Sequence, residues 1–178
     1  TAESDRARAL WMESFRTTYL ERDLRRISDI AHLTEFSRLM ELTAARTGTL
    51  LNQADLARDA GLSPATAGRY ISLLEGSLLV RRLPPWYTNI GKRIVKSPKL
   101  HWRDPGLAAH LYGLTAGQVD DHPIRGPLFE TAVTNEIGAL LPLYTTGADL
   151  FHLRTHDGLE IDLLIRNQGR LIPIEIKA

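Results

Sequence analysis

Apolar residues keep one spacing as far as Gly76 and a mixed one beyond it, and that change decides what the chain can fold into. Before Gly76 they recur every three or four residues, the period of a helix with one buried face; beyond it strand-like segments enter between helices. Leu20, Leu24 and Ile27 within the charged run YLERDLRRI predict an amphipathic helix over 4–29, and Leu33, Phe36, Leu39 and Met40 mark a second, ended by Gly48. Asn52 reads as the N-cap of a third helix, with Asp55 three residues on and Gly61 as its stop. Ser63 followed by Pro64 opens a fourth, whose apolar face is Tyr70, Leu73 and Leu74.

Strands are expected at 78–83 and 94–102, around the connection PPWYTNIGKR, and Asp104-Pro105 caps a short helix. The Gly/Asp/Pro-rich passage 113–127 is the expected boundary between a helical domain, 1–115, and a smaller one, 116–178. The latter opens with a helix from Gly126-Pro127 to about Leu141. Strands 149–154, 160–166 and 171–177 follow, the last two joined by a turn around Gln168-Gly169. The fold class is therefore α+β.

Composition closes off several chemistries. With 43% hydrophobic and 24% charged residues in 178, the chain is globular and not disordered or fibrous. It has no cysteine, which excludes disulfides, thiol catalysis and Cys-ligated zinc. The six histidines (His32, His101, His110, His122, His152 and His156) form no HExxH or other zinc spacing, and there is no GxSxG elbow. No run approaches 18 apolar residues and the N-terminus, TAESDRARAL, is polar, so no membrane partner and a cytoplasmic location are expected.

Residues 52–75 read as two short helices joined by a tight Gly61-Leu62 turn, the pattern of a helix-turn-helix, with the next hairpin as a wing. Net charge is only +1, yet Arg81 to Arg103 holds seven basic residues and no acidic one. Phosphate contacts are expected from Arg69 on the second helix and from Arg81, Arg82, Lys92, Arg93, Lys96 and Lys99 on the wing, interleaved with Trp86, Tyr87 and Trp102. The expected partner is DNA, bound with weak sequence preference and strong salt dependence. The alternative is a helical subdomain whose hairpin is balanced by acidic residues and contacts protein.

Glu160 and Asp162 share one strand face, with Ile161, Leu163 and Ile165 on the other; Glu175 and Lys177 do the same against Ile174 and Ile176. A hairpin turning at Gln168-Gly169 sets Asp162 beside Glu175 and Glu160 beside Lys177. Paired carboxylates are hard oxygen ligands suited to Mg²⁺, and a nearby lysine can stabilise charge on a phosphate. The plainer alternative is a half-exposed hairpin with cross-strand ion pairs, Glu160–Lys177 foremost, and Glu130 as a carboxylate near a helix N-terminus.

Asp, a short gap and then Glu-x-Lys on the next strand is the layout of PD-(D/E)xK nuclease sites. YLERDLRRI (19–27), the run 45–80, NIGKRIVKSPKLHWRDPGL (89–107), GPLFETAVTNEI (126–137) and RTHDGLEIDLLI…IPIEIKA (154–178) together resemble the domain of unknown function that follows the ATPase module in archaeal and bacterial AAA-like P-loop ATPases. The resemblance implies a winged helix followed by a nuclease-like α/β domain. In it Asp162, Glu175 and Lys177 fall on the nuclease-like motif, Asp162 and Glu175 as metal ligands, with Glu130 as the helical carboxylate. Lys92, Arg93, Lys96 and Lys99 fall on the family's basic segment. The chain lacks GxxxxGK[ST], so ATP would be bound only by a domain upstream of Thr1. The nuclease-like domain is expected to be incomplete at Ala178. The reading is a DNA-binding winged helix with a Mg²⁺-dependent nuclease-like domain; the alternative is a non-catalytic protein- or DNA-binding regulatory module of the ATPase.

Overall fold

A computed structural model describes residues 2–19, 33–87, 97–155 and 158–178. Its described elements are, in chain order, α1 (Ala2–Thr18), α2 (Leu33–Ala45), β1 (Thr49–Leu50), α3 (Gln53–Ala60), α4 (Pro64–Gly76), β2 (Val80–Leu83), β3 (Lys99–Trp102), α5 (Pro105–Leu111), α6 (Ala116–Val119), α7 (Arg125–Tyr144), β4 (Asp149–Arg154), β5 (Glu160–Asn167) and β6 (Arg170–Ile174). The architecture is mixed α+β, with two small antiparallel sheets ordered β1-β3-β2 and β4-β5-β6. No described helix is long and apolar enough to cross a membrane.

The α3–α4 pair forms because its end signals are satisfied locally. The Asn52 side chain accepts from the Asp55 N–H at 3.2 Å, and the Ser63 hydroxyl accepts from the Thr66 N–H at 3.1 Å. Between them Gly61 adopts φ 74°, and Leu62 N–H reaches back to the Ala57 carbonyl at 2.8 Å, closing α3 and turning the chain into α4. Ala57, Ala60, Ala67, Tyr70, Ile71 and Leu74 point inward with Phe36, Leu39 and Met40 of α2. Phe36 meets Tyr70 edge-on at 5.0 Å between ring centres. Burial of each of the larger ones, Phe36, Leu39, Met40, Ile71 and Leu74, stabilises the fold by about 1.5–3 kcal/mol.

Several boundaries depart from the sequence reading. Leu20, Leu24 and Ile27 lie outside the described residues, and α1 is described only to Tyr19. Two residues of β1, unheralded by any alternation, pair Thr49 with Leu100 and Leu50 with Lys99, which makes β3 a central strand. Helix α6 lies within the expected boundary passage. Helix α7 passes through Pro142 to Tyr144, whereas β6 stops at Ile174.

In β3, Leu100 and Trp102 enter the first core, and Lys99 and His101 point the other way, toward α7. A second core forms around Leu83, Leu150, Leu163 and Ile165, with Ile137 and Leu141 of α7 packed against it. Helix α7 therefore touches both sheets. Asn135 fixes it to the β3 end by donating to the Trp102 carbonyl at 2.7 Å. The β5–β6 hairpin turns at Gln168 (φ 48°) and Gly169 (φ 80°) and keeps the expected register from Asn167↔Arg170 to Leu163↔Ile174.

Candidate functional site: a buried lysine among three carboxylates

Three of the four acidic residues singled out on the strands and helix converge, and they converge on a cation from the other half of the chain. Lys99, 3% exposed, extends from β3 to Glu130 of α7 at 2.9 Å, Glu160 at 2.9 Å and Asp162 at 3.4 Å on β5. Burial lowers the Lys99 pKa, but its hydrogen bonds to Glu130 and Glu160 outweigh this and hold it above the ordinary lysine value, so the ammonium stays charged. Glu130 is pushed the opposite way to most paired carboxylates: burial raises its pKa, and Lys99 only partly opposes this. The cluster is thus partly desolvated, and its cation is supplied by the chain.

Beside Lys99 runs a buried polar chain. His101 Nδ1 lies 3.0 Å from Thr131 Oγ1, which lies 3.0 Å from Thr47 Oγ1, and Thr47 accepts the Trp102 N–H at 3.1 Å. His101 Nε2 has no hydrogen-bond partner among the described residues and sits 3.9 Å from Glu130 Oε1. Burial, with the charges of Lys99 and Arg81, lowers the His101 pKa to about 3. His152 of β4, also buried, is lowered to about 4 by burial first and Lys99 next. Both imidazoles are neutral at physiological pH.

The remaining predicted site residues lie elsewhere. The ladder ends at Leu163↔Ile174, so Glu175 and Lys177 are outside it. They pair with each other at 2.6 Å, with Glu175 52% and Lys177 81% exposed. The tail still runs alongside Asp162, whose Oδ2 accepts the Ile176 N–H at 3.0 Å. Glu160 pairs with Lys99 and with Arg154, at 3.8 Å, in place of the expected Lys177.

The described basic residues are largely engaged internally. Arg82 is tied to Glu75 at 3.1 Å and to Ser72 at 2.9 Å. Arg81 packs its guanidinium against Gly138 of α7. Lys99 is inside the cluster, and Arg69 on α4 and Arg103 are exposed. Lys92, Arg93 and Lys96 lie outside the described residues.

Sequence reasoning missed the placement of Lys99 and His101. KLHW alternates two polar residues with Leu100 and Trp102, the pattern of a half-solvated strand, so no local signal marked its second face as covered.

As a cation site for Mg²⁺, the donor set does not fit. The oxygens of Glu130, Glu160 and Asp162 already surround an ammonium, and Glu175 is committed to Lys177 at the surface. Among the described residues no group of three or more His, Cys, Asp or Glu is placed to hold a metal ion.

Comparison with known proteins agrees with an ATPase-associated type of chain. The uncharacterized protein Rv2008c of Mycobacterium tuberculosis and the uncharacterized protein Mb2031c of Mycobacterium bovis are each 35% identical over 178 residues, 99% of this chain and 40% of the relative. The chain thus spans about two fifths of the length of these relatives. No solved structure matches it. Residues 125–178 match the domain of unknown function DUF4143, a type usually associated with AAA ATPases. Residues 1–118, more than half of the chain, match the domain of unknown function DUF8612, and the chain belongs to that family.

Proposed function

We propose that this chain is a non-catalytic regulatory module of an ATPase-type protein, a winged helix locked onto a nuclease-like scaffold. The observation that carries the reading is the seating of Lys99 among Glu130, Glu160 and Asp162. Two of them, Glu130 and Asp162, are residues of the expected nuclease-like motif, and here an ammonium from β3 is paired with both. A divalent ion would have to displace a buried lysine before any phosphodiester could be activated. The order α2-β1-α3-α4-β2-β3, with β3 between β1 and β2, supports a winged helix. The DUF4143 match and the longer relatives support an ATPase as the rest of the protein.

The test is plasmid nicking and thermal unfolding of the 178-residue chain with and without millimolar Mg²⁺ or Mn²⁺. No nicking and no cation-dependent stabilisation are expected. Mg²⁺-dependent nicking that disappears in Asp162→Ala would overturn the assignment. A DNA-binding role is favoured by one observation, the exposed Arg69 on α4 after a helix-turn-helix bend. Its signature is binding of duplex DNA that weakens steeply with salt and is reduced by Arg69→Ala.

A further inference from the structure

A wide concavity lies away from the lysine cluster, where α1, α5, α6 and the first turns of α7 meet. It encloses about 910 Å³, within the size range of small-molecule sites. Its wall is apolar: Met12 from α1, Ala109 from α5, Leu114, Val119 from α6, and Leu128 and Phe129 from α7. Phe129 is 44% exposed although it stands on a helix that buries Leu128 beside it. The charges around this wall are one-sided. Arg6, Arg8 and Arg125 line it, together with Lys177, which Glu175 already pairs, and Asp120 is the single carboxylate side chain of the lining, in a chain whose overall net charge is +1.

An apolar cleft with cationic groups at its edge recognises a molecule with an apolar body and an anionic end. We propose that this cleft binds an amphiphilic monoanion of the alkyl carboxylate class, its chain against Met12, Leu114 and Phe129 and its head toward Arg6 and Arg125. The site shares no residue with the Lys99 cluster, so it stands independently of the regulatory reading.

The experiment is calorimetric titration of the 178-residue chain with dodecanoate, decanoate and dodecylamine, each below its own aggregation concentration. Dodecanoate is expected to bind one to one with micromolar Kd. Loss of each CH₂ should weaken it about fourfold, so decanoate binds roughly fifteenfold less tightly. Dodecylamine should bind at least about tenfold more weakly than dodecanoate, because its head meets like charge. The surface variant Arg6→Glu/Arg125→Glu, which leaves the apolar wall intact, should invert that preference. Equal affinity for the amine, no change on charge reversal, or no saturable binding would overturn the proposal. So would binding to phosphatidylglycerol vesicles without binding of free dodecanoate, which would make the face a membrane contact.

Discussion

Replacing Lys99 by methionine keeps an unbranched side chain, one atom shorter, and removes its charge. Glu130 and Asp162, with side chains 14% and 16% exposed, then lose the lysine's charge, and Glu160, 37% exposed, keeps only Arg154 among the described residues. Removing one partner of a buried ion pair costs about 3–5 kcal/mol, most of it the penalty of the charges left behind. Water reaches Glu160 and screens its share, which puts the expected loss near the lower end, about 3 kcal/mol. In a chain of this size that lowers Tm by roughly 10 °C. The assay is thermal unfolding by circular dichroism of the native chain, Lys99→Met and Lys99→Arg. The pH dependence separates lost charge from lost packing. Uncompensated carboxylates take up protons more readily when folded, so the deficit of Lys99→Met should shrink as pH falls from 7 toward 5. A Tm within about 2 °C of the native chain, or a deficit that does not change with pH, would refute the argument that Lys99 offsets the charge of the cluster.

The native chain should itself lose stability on mild acidification. His101 and His152 have folded pKa values of about 3 and about 4, below the ordinary 6.5, so their contribution is complete above pH 6.5 and is lost as pH falls through that window. By pH 5 each should cost about 2 kcal/mol, and Glu130, whose raised pKa works the other way, reduces the total. Urea unfolding of the native chain and His152→Phe at pH 7 and 5 checks this, the variant showing the shallower decline. Gly48→Ala should destabilise by about 2 kcal/mol, because φ is +74° and a Cβ would lie 3.1 Å from the Pro127 carbonyl oxygen of α7; chemical denaturation measures it. Leu163→Ala, at a fully buried position in the second core, should cost about 2–5 kcal/mol in the same assay.

Local signals carried much of this fold. Asn52, Ser63 and Asp104 are caps because each side chain can reach an N–H three residues on, and Gln168-Gly169 sets the hairpin register through its own backbone. These are properties of short segments, and short segments are what a sequence displays. Strand β1 escaped because two residues carry no period; it exists only because β3 offers it a partner. Lys99 was read as a surface cation because the run around it is basic. Its side chain turns inward because β3 is covered by α7, a contact between residues 31 positions apart in sequence. A similar separation hid His101, whose hydroxyl partner Thr131 lies 30 positions on and is itself bonded to Thr47.

The carboxylate motif therefore has a meaning that depends on which lysine reaches it. Lys177, two residues after Glu175, is the lysine that spacing alone would choose, yet β6 ends at Ile174 and leaves Lys177 paired to its neighbour at the surface. Lys99 reaches the cluster because it sits on a central strand held from both sides, by Leu50 on β1 and Leu83 on β2. Its backbone is therefore held in place, and ordering its long side chain costs about 1.5–2 kcal/mol that the ion pairs must offset. Because the cation belongs to β3 and the anions to α7 and β5, the cluster also joins the two sheets. Any movement of β3 relative to β5 must separate a buried ammonium from its carboxylates, at a cost of the size expected for Lys99→Met. That cost makes the lysine a lock on the relative position of the two halves, whatever partner the α3–α4 surface meets.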